Sequence, residues 1–202
     1  MKDLSPDPKQ KAILKSAWDA FARYGFRKTS MEDIARGAGM SRPALYLHYA
    51  GKEAIFRSLV QYYYDDAAES VARVLAGPGT VPDLLAAAFA AQGRGVVQAM
   101  LSSPHGMELL DTGNATSADI AAEGEARIAA VYAAWLEREA RAGRVRLEGA
   151  ATDLALTITA ALKGLKAAVP DYADYARRVG QLARLIGAGL VGEGGGGGGG
   201  GW

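Results

Sequence analysis

The sequence predicts an all-α protein, and three observations lead to that prediction. Half of the 202 residues are hydrophobic and alanine is abundant, whereas runs of β-branched residues are scarce, which favours helices over a sheet. Apolar residues recur at helical spacing between breaks formed by glycine and proline. Residues 31–50 carry the pattern of two short helices joined by a tight turn. We expect a small N-terminal three-helix domain followed by a larger helical domain.

The helices can be placed in chain order from their apolar faces and their breaks. The first is expected over residues 8–24, because Ile13, Leu14 and Phe21 share one face and Gly25 can end the helix. After the two short helices of residues 31–50, further helices are expected over 52–75, 81–91, 94–101, 105–110, 117–142, 149–168 and 171–190. Residues 111–114 read DTGN, which is typical of a turn.

Residues 31–50, MEDIARGAGMSRPALYLHYA, have the internal pattern of a DNA-binding helix-turn-helix. Ala35 is small enough to let a second helix cross the first closely. Gly39, four residues later, can adopt the positive φ angle of the turn between them. Leu45 supplies an apolar side chain that fills the crossing. These three positions therefore predict a closely crossed pair of helices.

Side-chain caps are expected before each helix of this pair. Ser30 precedes the first helix, and Asp33 stands three residues later as a partner in a capping box. Ser41 precedes the second helix and can cap it in the same way.

The motif resembles the TetR family of bacterial transcriptional regulators over roughly residues 8–60. The resemblance lies in TSMEDIA at 29–35, AGMS at 38–41, LY at 45–46, HY at 48–49, KE at 52–53 and the upstream YGF at 24–26. It implies an all-helical homodimer that is a repressor by default, with a small N-terminal domain that binds DNA and a larger domain that binds an effector. The corresponding boundaries are residues 1–51 for the DNA-binding domain, 52–191 for the effector-binding and dimerisation domain, and 192–202 for a disordered glycine-rich tail to which no function is assigned.

The second helix of such a motif lies in the major groove with its first residues near the base edges. Arg42 is the candidate for a bidentate contact to guanine, with a phosphate contact or a solvated side chain as alternatives. Pro43 and Ala44 can offer only apolar contact, for example to a thymine methyl group. His48 is expected to face DNA or to remain a surface side chain, and in the resembling family the residue matching Tyr46 reaches a phosphate. The full set of candidate DNA-binding residues is Thr29, Ser30, Ser41, Arg42, Pro43, Ala44, Tyr46, His48 and Lys52.

Lys52 is expected to contact a phosphate from the start of the fourth helix. Its replacement by alanine would then weaken binding to all sequences alike and flatten the salt dependence by about one unit of slope. Because one small domain has a modest interface, the expected target is an inverted repeat in double-stranded DNA that two copies bind together.

The charge distribution agrees with a nucleic-acid partner. Residues 1–52 contain ten Lys or Arg and five Asp or Glu, a net charge of +5, whereas residues 53–202 contain thirteen and seventeen, a net charge of −4. An N-terminal quarter that is positive can present one face to a polyanion.

Composition also bears on location and chemistry. The chain has no cysteine, no apolar run of membrane-spanning length and no apolar core of a signal peptide near its start, so we expect a cytoplasmic protein without a membrane partner. Of its two histidines, His48 and His105, only His105 has a carboxylate at helical metal spacing, Glu108, and no phosphate-binding glycine loop is present. We therefore expect neither an enzyme nor a metal or cofactor site.

The larger domain offers two further predictions. A dimer interface is expected on two apolar stripes of the last two helices, with the subunit core as the alternative: Leu154, Ile158, Leu162, Leu165, Tyr175, Val179, Leu182 and Ile186. A pocket for a small, largely apolar inducer is expected from aromatic, thioether and polar side chains that could equally be ordinary core or surface: Tyr63, Phe89, Met100, His105, Met107, Tyr132, Trp135 and Thr157. A protein partner in place of the small molecule is the alternative for this regulation.

Overall fold

Ten α-helices form the described part of the chain, residues 8–191 of a computed structural model, and no strand occurs among those residues. The helices are α1 (Pro8–Tyr24), α2 (Met31–Gly37), α3 (Arg42–Tyr46), α4 (Lys52–Leu75), α5 (Val81–Gln92), α6 (Val96–Leu101), α7 (Gly106–Thr116), α8 (Ala118–Arg141), α9 (Ala151–Ala168) and α10 (Tyr172–Val191). The all-α prediction is confirmed, and the predicted tail at 192–202 lies outside the described residues.

The predicted turn at residues 111–114 is wrong, because this segment lies inside α7. The hydroxyl of Thr112 donates to the carbonyl of Glu108 at 2.7 Å, and that of Thr116 donates to the carbonyl of Thr112 at the same distance. Their hydrogen bonds thus run along the helix instead of closing a turn. The helix predicted over 105–110 therefore ends too early, because α7 continues to Thr116, whereas the other predicted helices agree with the structure to within two residues at each end.

The chain divides into two compact units that do not coincide with the predicted boundary at residue 51. Among the described residues, the first unit consists of 8–66 and Gly95–Gly124, and the second consists of Ala67–Arg94 and 125–191. The helix-turn-helix segment therefore shares its unit with α6, α7 and the beginning of α8. The functional boundary at residue 51 stays a prediction.

The first unit is built around the buried faces of α1, α2, α3 and the start of α4. Three phenylalanines form a triangle within it: the ring centroids of Phe21 and Phe26 are 5.3 Å apart, those of Phe26 and Phe56 5.3 Å, and those of Phe21 and Phe56 5.7 Å. Met100 from α6 and Leu109 from α7 belong to the same buried cluster. The core beneath the helix-turn-helix thus includes residues that are distant from it in the sequence.

The second unit has its own aromatic core. Phe89 and Tyr132 are fully buried, with their rings edge to face and the centroids 5.8 Å apart. Burial raises the pKa of Tyr175 to about 12. A Cβ at position 187 would meet Pro82 at 3.0 Å, so Gly187 lets α10 approach the start of α5 closely.

Candidate nucleic-acid interface

The capping box at the start of α2 is confirmed. Ser30 has extended backbone angles, its hydroxyl accepts the N–H of Asp33 at 3.2 Å, and its own N–H donates to the Asp33 carboxylate at 3.1 Å. The Ser30 hydroxyl and N–H hold the pKa of Asp33 below its usual value, and Arg36, whose guanidinium lies 2.6 Å from the carboxylate, adds to that effect. The cap fixes where the first helix of the motif begins.

The turn between α2 and α3 has the expected geometry. Gly39 has φ +69°, a left-handed conformation that favours glycine. Ala35 and Leu45, which the sequence places at the crossing, are both fully buried. On the other side of α2, the Ser16 hydroxyl donates to the carbonyl of Ile34 at 2.8 Å and ties the helix to α1. The closely crossed pair of helices is therefore confirmed.

The short helix α3 presents its outer surface to solvent. Ser41 caps it by accepting the N–H of Ala44 at 3.3 Å, and proline is accommodated in its first turn. The guanidinium of Arg42 donates to the hydroxyl of Tyr46 at 3.4 Å and lies over its ring, 5.6 Å from the centroid. This hydrogen bond raises the pKa of Arg42 above its usual value.

Most of the nine predicted DNA-binding residues are accessible to solvent. Ser30, Ser41, Arg42, Pro43, Tyr46 and His48 are exposed, and Ala44 is half-buried. Tyr49, by contrast, is buried, and its hydroxyl accepts a hydrogen bond from Gln10 at 3.1 Å. The helix that the sequence assigned to DNA contact is thus exposed at most of its positions, and the contact itself stays a prediction.

Lys52 and Thr29 have different surroundings from those expected. The Lys52 ammonium donates to the carbonyl oxygens of Phe26 at 2.9 Å, Arg27 at 3.1 Å and Thr29 at 3.1 Å, and it lies 4.7 Å from the centroid of the Phe26 ring. The Thr29 hydroxyl is buried and donates to the carbonyl of Gly25 at 2.7 Å. Both side chains therefore fix the loop between α1 and α2, and for Lys52 this corrects the expected contact of its ammonium with a phosphate.

Sequence reasoning missed the contacts from α7 to the same loop. A carboxylate oxygen of Glu108 accepts the N–H of Arg27 at 2.9 Å, and its other oxygen lies 3.4 Å from Nδ1 of His105. Gly25 has φ +81°, and a Cβ there would come within 2.3 Å of the Glu108 carboxylate. Ser103 adds a hydrogen bond of 2.8 Å to the carbonyl of Ala22. No sequence spacing links the residues of α7 to those of the loop, which lie about eighty positions away.

A second set of contacts joins α4 to the junction of α7 and α8. The Arg57 guanidinium donates to both carboxylate oxygens of Asp119, at 2.8 and 2.6 Å, and to the carbonyl of Thr116 at 2.5 Å. The hydrogen bonds from Arg57 lower the pKa of Asp119 to about 2. This bidentate pair was not predicted either, because its partners come from distant helices.

The eight predicted pocket residues fall into both compact units and have unlike surroundings. In the second unit Phe89, Tyr132 and Trp135 are fully buried, and Thr157 is exposed. In the first unit Met100 is a core residue, Met107 is exposed and Tyr63 packs against Tyr64. His105 instead lines a cleft of about 710 Å³ together with Tyr24, Arg27, Lys28, Glu108, Asp111, Thr112 and Ala115. That these side chains line a ligand pocket stays a prediction.

The predicted dimer stripes are corrected in part. Ile158, Leu162, Tyr175 and Val179 are buried inside the second unit, because these faces of α9 and α10 form the core of the subunit. Leu154, Leu165, Leu182 and Ile186 are half-buried. The outward faces of the same helices carry an apolar surface that the sequence stripes did not single out, which we call the α9–α10 outer face: Leu156, Ala160, Gly164, Leu185 and Ala188.

The two short, capped helices and their solvent-facing surface define a helix-turn-helix protein. Residues 13–59 match the family model for bacterial regulatory proteins of the tetR family, which confirms the resemblance over this segment. The regulator YuxN of Bacillus subtilis, described as an uncharacterised transcriptional regulator of the helix-turn-helix type, is 39% identical over 57 residues. The match includes 28% of this chain, and the chain covers only 20% of the length of YuxN.

Solved structures extend the similarity of fold to nearly the whole chain. A transcriptional regulator from Cytophaga hutchinsonii superposes with a TM-score of 0.72 at 18% identity, over 92% of this chain and 100% of the other. SmeT, the repressor of the Stenotrophomonas maltophilia multidrug efflux pump SmeDEF, gives a TM-score of 0.66 at 18% identity, over 92% and 91%. The proteins that this chain resembles are regulators, in agreement with the prediction that it is not an enzyme. Within residues 8–191, no helix is both long enough and apolar enough to span a bilayer.

Proposed function

We propose that this protein is a cytoplasmic transcriptional repressor that binds an inverted-repeat operator as a homodimer and is released by a small, largely apolar molecule. The observation that carries the DNA-binding part is the exposed outer surface of α3, where Arg42 and Tyr46 lie on a helix fixed by two caps and a buried crossing. An exposed arginine at the start of such a helix can reach the two acceptors of a guanine.

The test of DNA binding is selection of bound duplexes from a random pool, followed by measurement of affinity for the selected operator. We expect an inverted repeat, since a two-fold dimer places two copies of α3 on one face of the duplex. Failure to enrich any sequence at low salt would contradict the proposal.

Replacing Arg42 with alanine is expected to relax the preference at one base pair of each half-site, at a cost of about 1–3 kcal/mol. Arg36 is the matched control, because it is an exposed arginine on α2 that already pairs with Asp33 at 2.6 Å. The measurement is a repeat of the selection with each variant. If Arg42→Ala weakens all sequences equally and leaves the preference unchanged, Arg42 contacts phosphate and not a base.

Dimerisation is assigned to the α9–α10 outer face. Leu156 is 56% exposed and Leu185 73% exposed, and Ala160, Gly164 and Ala188 are exposed small residues on the same two helices. Small residues permit a close approach of helices, and the exposed leucines supply apolar area that a second copy can bury.

The double variant Leu156→Asp/Leu185→Asp is expected to be monomeric in analytical ultracentrifugation and to lose most of its operator affinity, because one subunit then binds one half-site alone. Both positions are exposed in the subunit, so the fold should persist. Ala130→Asp on the exposed side of α8 is the control for an added charge. A double variant that remains dimeric would assign dimerisation to another surface.

Two observations support release by an effector: a buried polar group without a partner in the second unit, and the contacts that α7 and α8 make within the first unit. Trp135 has a buried indole N–H without a hydrogen-bond partner in the described structure, and a ligand with one acceptor could satisfy that donor. In the first unit, Glu108 joins α7 to the loop between α1 and α2, and Arg57 joins α4 to the start of α8. A ligand that favours another position of this segment would oppose DNA binding by linkage.

A screen for small molecules that raise the melting temperature and release the operator tests this part. Molecules that do both support the small-molecule mechanism. Release of the operator only on addition of a protein would instead favour the alternative, a regulator that a protein partner controls.

A further inference from the structure

The outermost side of α3 is apolar, although its flanks are polar. Taking the buried Leu45 as reference, a helical rotation of 3.6 residues per turn places both Pro43 and Leu47 about 160° away from it, directly opposite the core. Leu47 follows the last helical residue with φ −71° and ψ −21°, so it continues the helical direction. We call this pair, Pro43 and Leu47, the apolar ridge of α3.

Leu47 is 86% exposed, more than any other large hydrophobic side chain in the described part of the chain. Next to it, Tyr46 is 45% exposed and His48 is exposed. Leaving a leucine in water forgoes the free energy that its burial would provide. Leu47 is therefore suited to be buried against the surface of a binding partner.

A duplex that approaches α3 meets the apolar ridge first, since Pro43 and Leu47 point away from the core while Arg42 and Tyr46 lie to one side. Leucine and proline side chains have no hydrogen-bond donor, so they cannot anchor a phosphate. The apolar group that the major groove offers is the C5 methyl of thymine, which is absent from the other three bases. The group that matches both the apolar ridge and the exposed outer surface of α3 around it is thus a thymine methyl.

We propose that the apolar ridge, and Leu47 in particular, reads thymine methyl groups in the operator half-site. This inference rests on the proposed DNA binding. It adds Leu47 as a residue that determines specificity without forming a hydrogen bond. It assigns recognition of a thymine to Leu47 and leaves the polar contact to guanine with Arg42.

The test replaces single thymines of the selected operator with deoxyuridine, which removes the methyl group and leaves every hydrogen-bonding group in place. Full-length protein is titrated with each duplex. We expect one thymine in each half-site whose replacement weakens binding about fourfold, the value of one buried methyl group. Leu47→Ala should weaken binding to the thymine operator by at least as much, and it should show little further loss on the deoxyuridine operator.

Two variants complete the cycle. Leu47→Met keeps an apolar side chain of similar volume and should retain the discrimination between thymine and deoxyuridine. Tyr62→Ala removes another exposed large side chain, 43% exposed on α4, and should bind both duplexes like the parent.

Equal binding of all deoxyuridine duplexes and the thymine operator would overturn the inference while leaving the proposed DNA binding intact. It would also be overturned if Leu47→Ala weakened the thymine and deoxyuridine operators by the same factor, or changed only the oligomeric state. Absence of binding to any duplex would instead reject the proposed function, and the inference with it.

Discussion

Lys52→Met is expected to lower the melting temperature and to weaken operator binding about fivefold or more, while the slope of affinity against salt concentration stays as in the parent. The physical reason is that the Lys52 ammonium binds three carbonyl oxygens of the loop between α1 and α2. Methionine keeps the length of the side chain but leaves these acceptors without a donor, at a cost of about 1–3 kcal/mol for this partly exposed site. The loop then no longer holds the start of α2 in one position.

Lys28→Met is the matched control, since Lys28 is exposed in the same loop and the variant removes the same charge without touching the three carbonyls. Its melting temperature should equal that of the parent. Affinities are measured between 50 and about 200 mM salt, where each lost phosphate contact reduces the slope by about 0.9. If Lys52→Met leaves the melting temperature unchanged and flattens the slope by that amount, Lys52 binds phosphate directly, as the sequence alone led us to expect.

Phe21→Ala is expected to reduce the free energy of unfolding by about 3–5 kcal/mol, which is typical of a phenylalanine lost from a packed core. Phe21 is fully buried and contacts the rings of both Phe26 and Phe56. Because Phe26 lies in the loop that Lys52 fixes, the variant should also lose operator binding at temperatures below its melting point.

Denaturant titration followed by circular dichroism gives the change in free energy, and Tyr24→Ala serves as control. Tyr24 is 43% exposed at the end of the same helix, so its loss should cost much less. A loss below 1 kcal/mol for Phe21→Ala would mean that the aromatic triangle does not support the first unit.

The sequence was sufficient for features that depend on neighbouring residues. The capping box of Ser30, the positive φ angle of Gly39 and the buried crossing of Ala35 and Leu45 are determined by chemistry within a few positions, and each was predicted. The bounds of most helices were predicted for the same reason.

Features that depend on distant partners could not be predicted in this way. Lys52 was expected to face DNA from its position at the start of α4. The three loop carbonyls that bind its ammonium cannot be inferred from the sequence. In α9, helical spacing defines two apolar faces, one with Ile158 and one with Leu156, but it cannot tell which of them packs inward. The turn predicted at 111–114 failed because the threonines of α7 bond along the helix, which overrides a weak local preference.

The hydrogen bond from the Arg27 amide to Glu108 has a consequence for the first sixty residues taken alone. A fragment that ended after Asp66 would lack this acceptor, and it would also lack Met100 and Leu109 from its interior. The segment that resembles a portable DNA-binding module is thus incomplete by itself. A fusion of this segment to another protein would therefore also have to include α6 and α7.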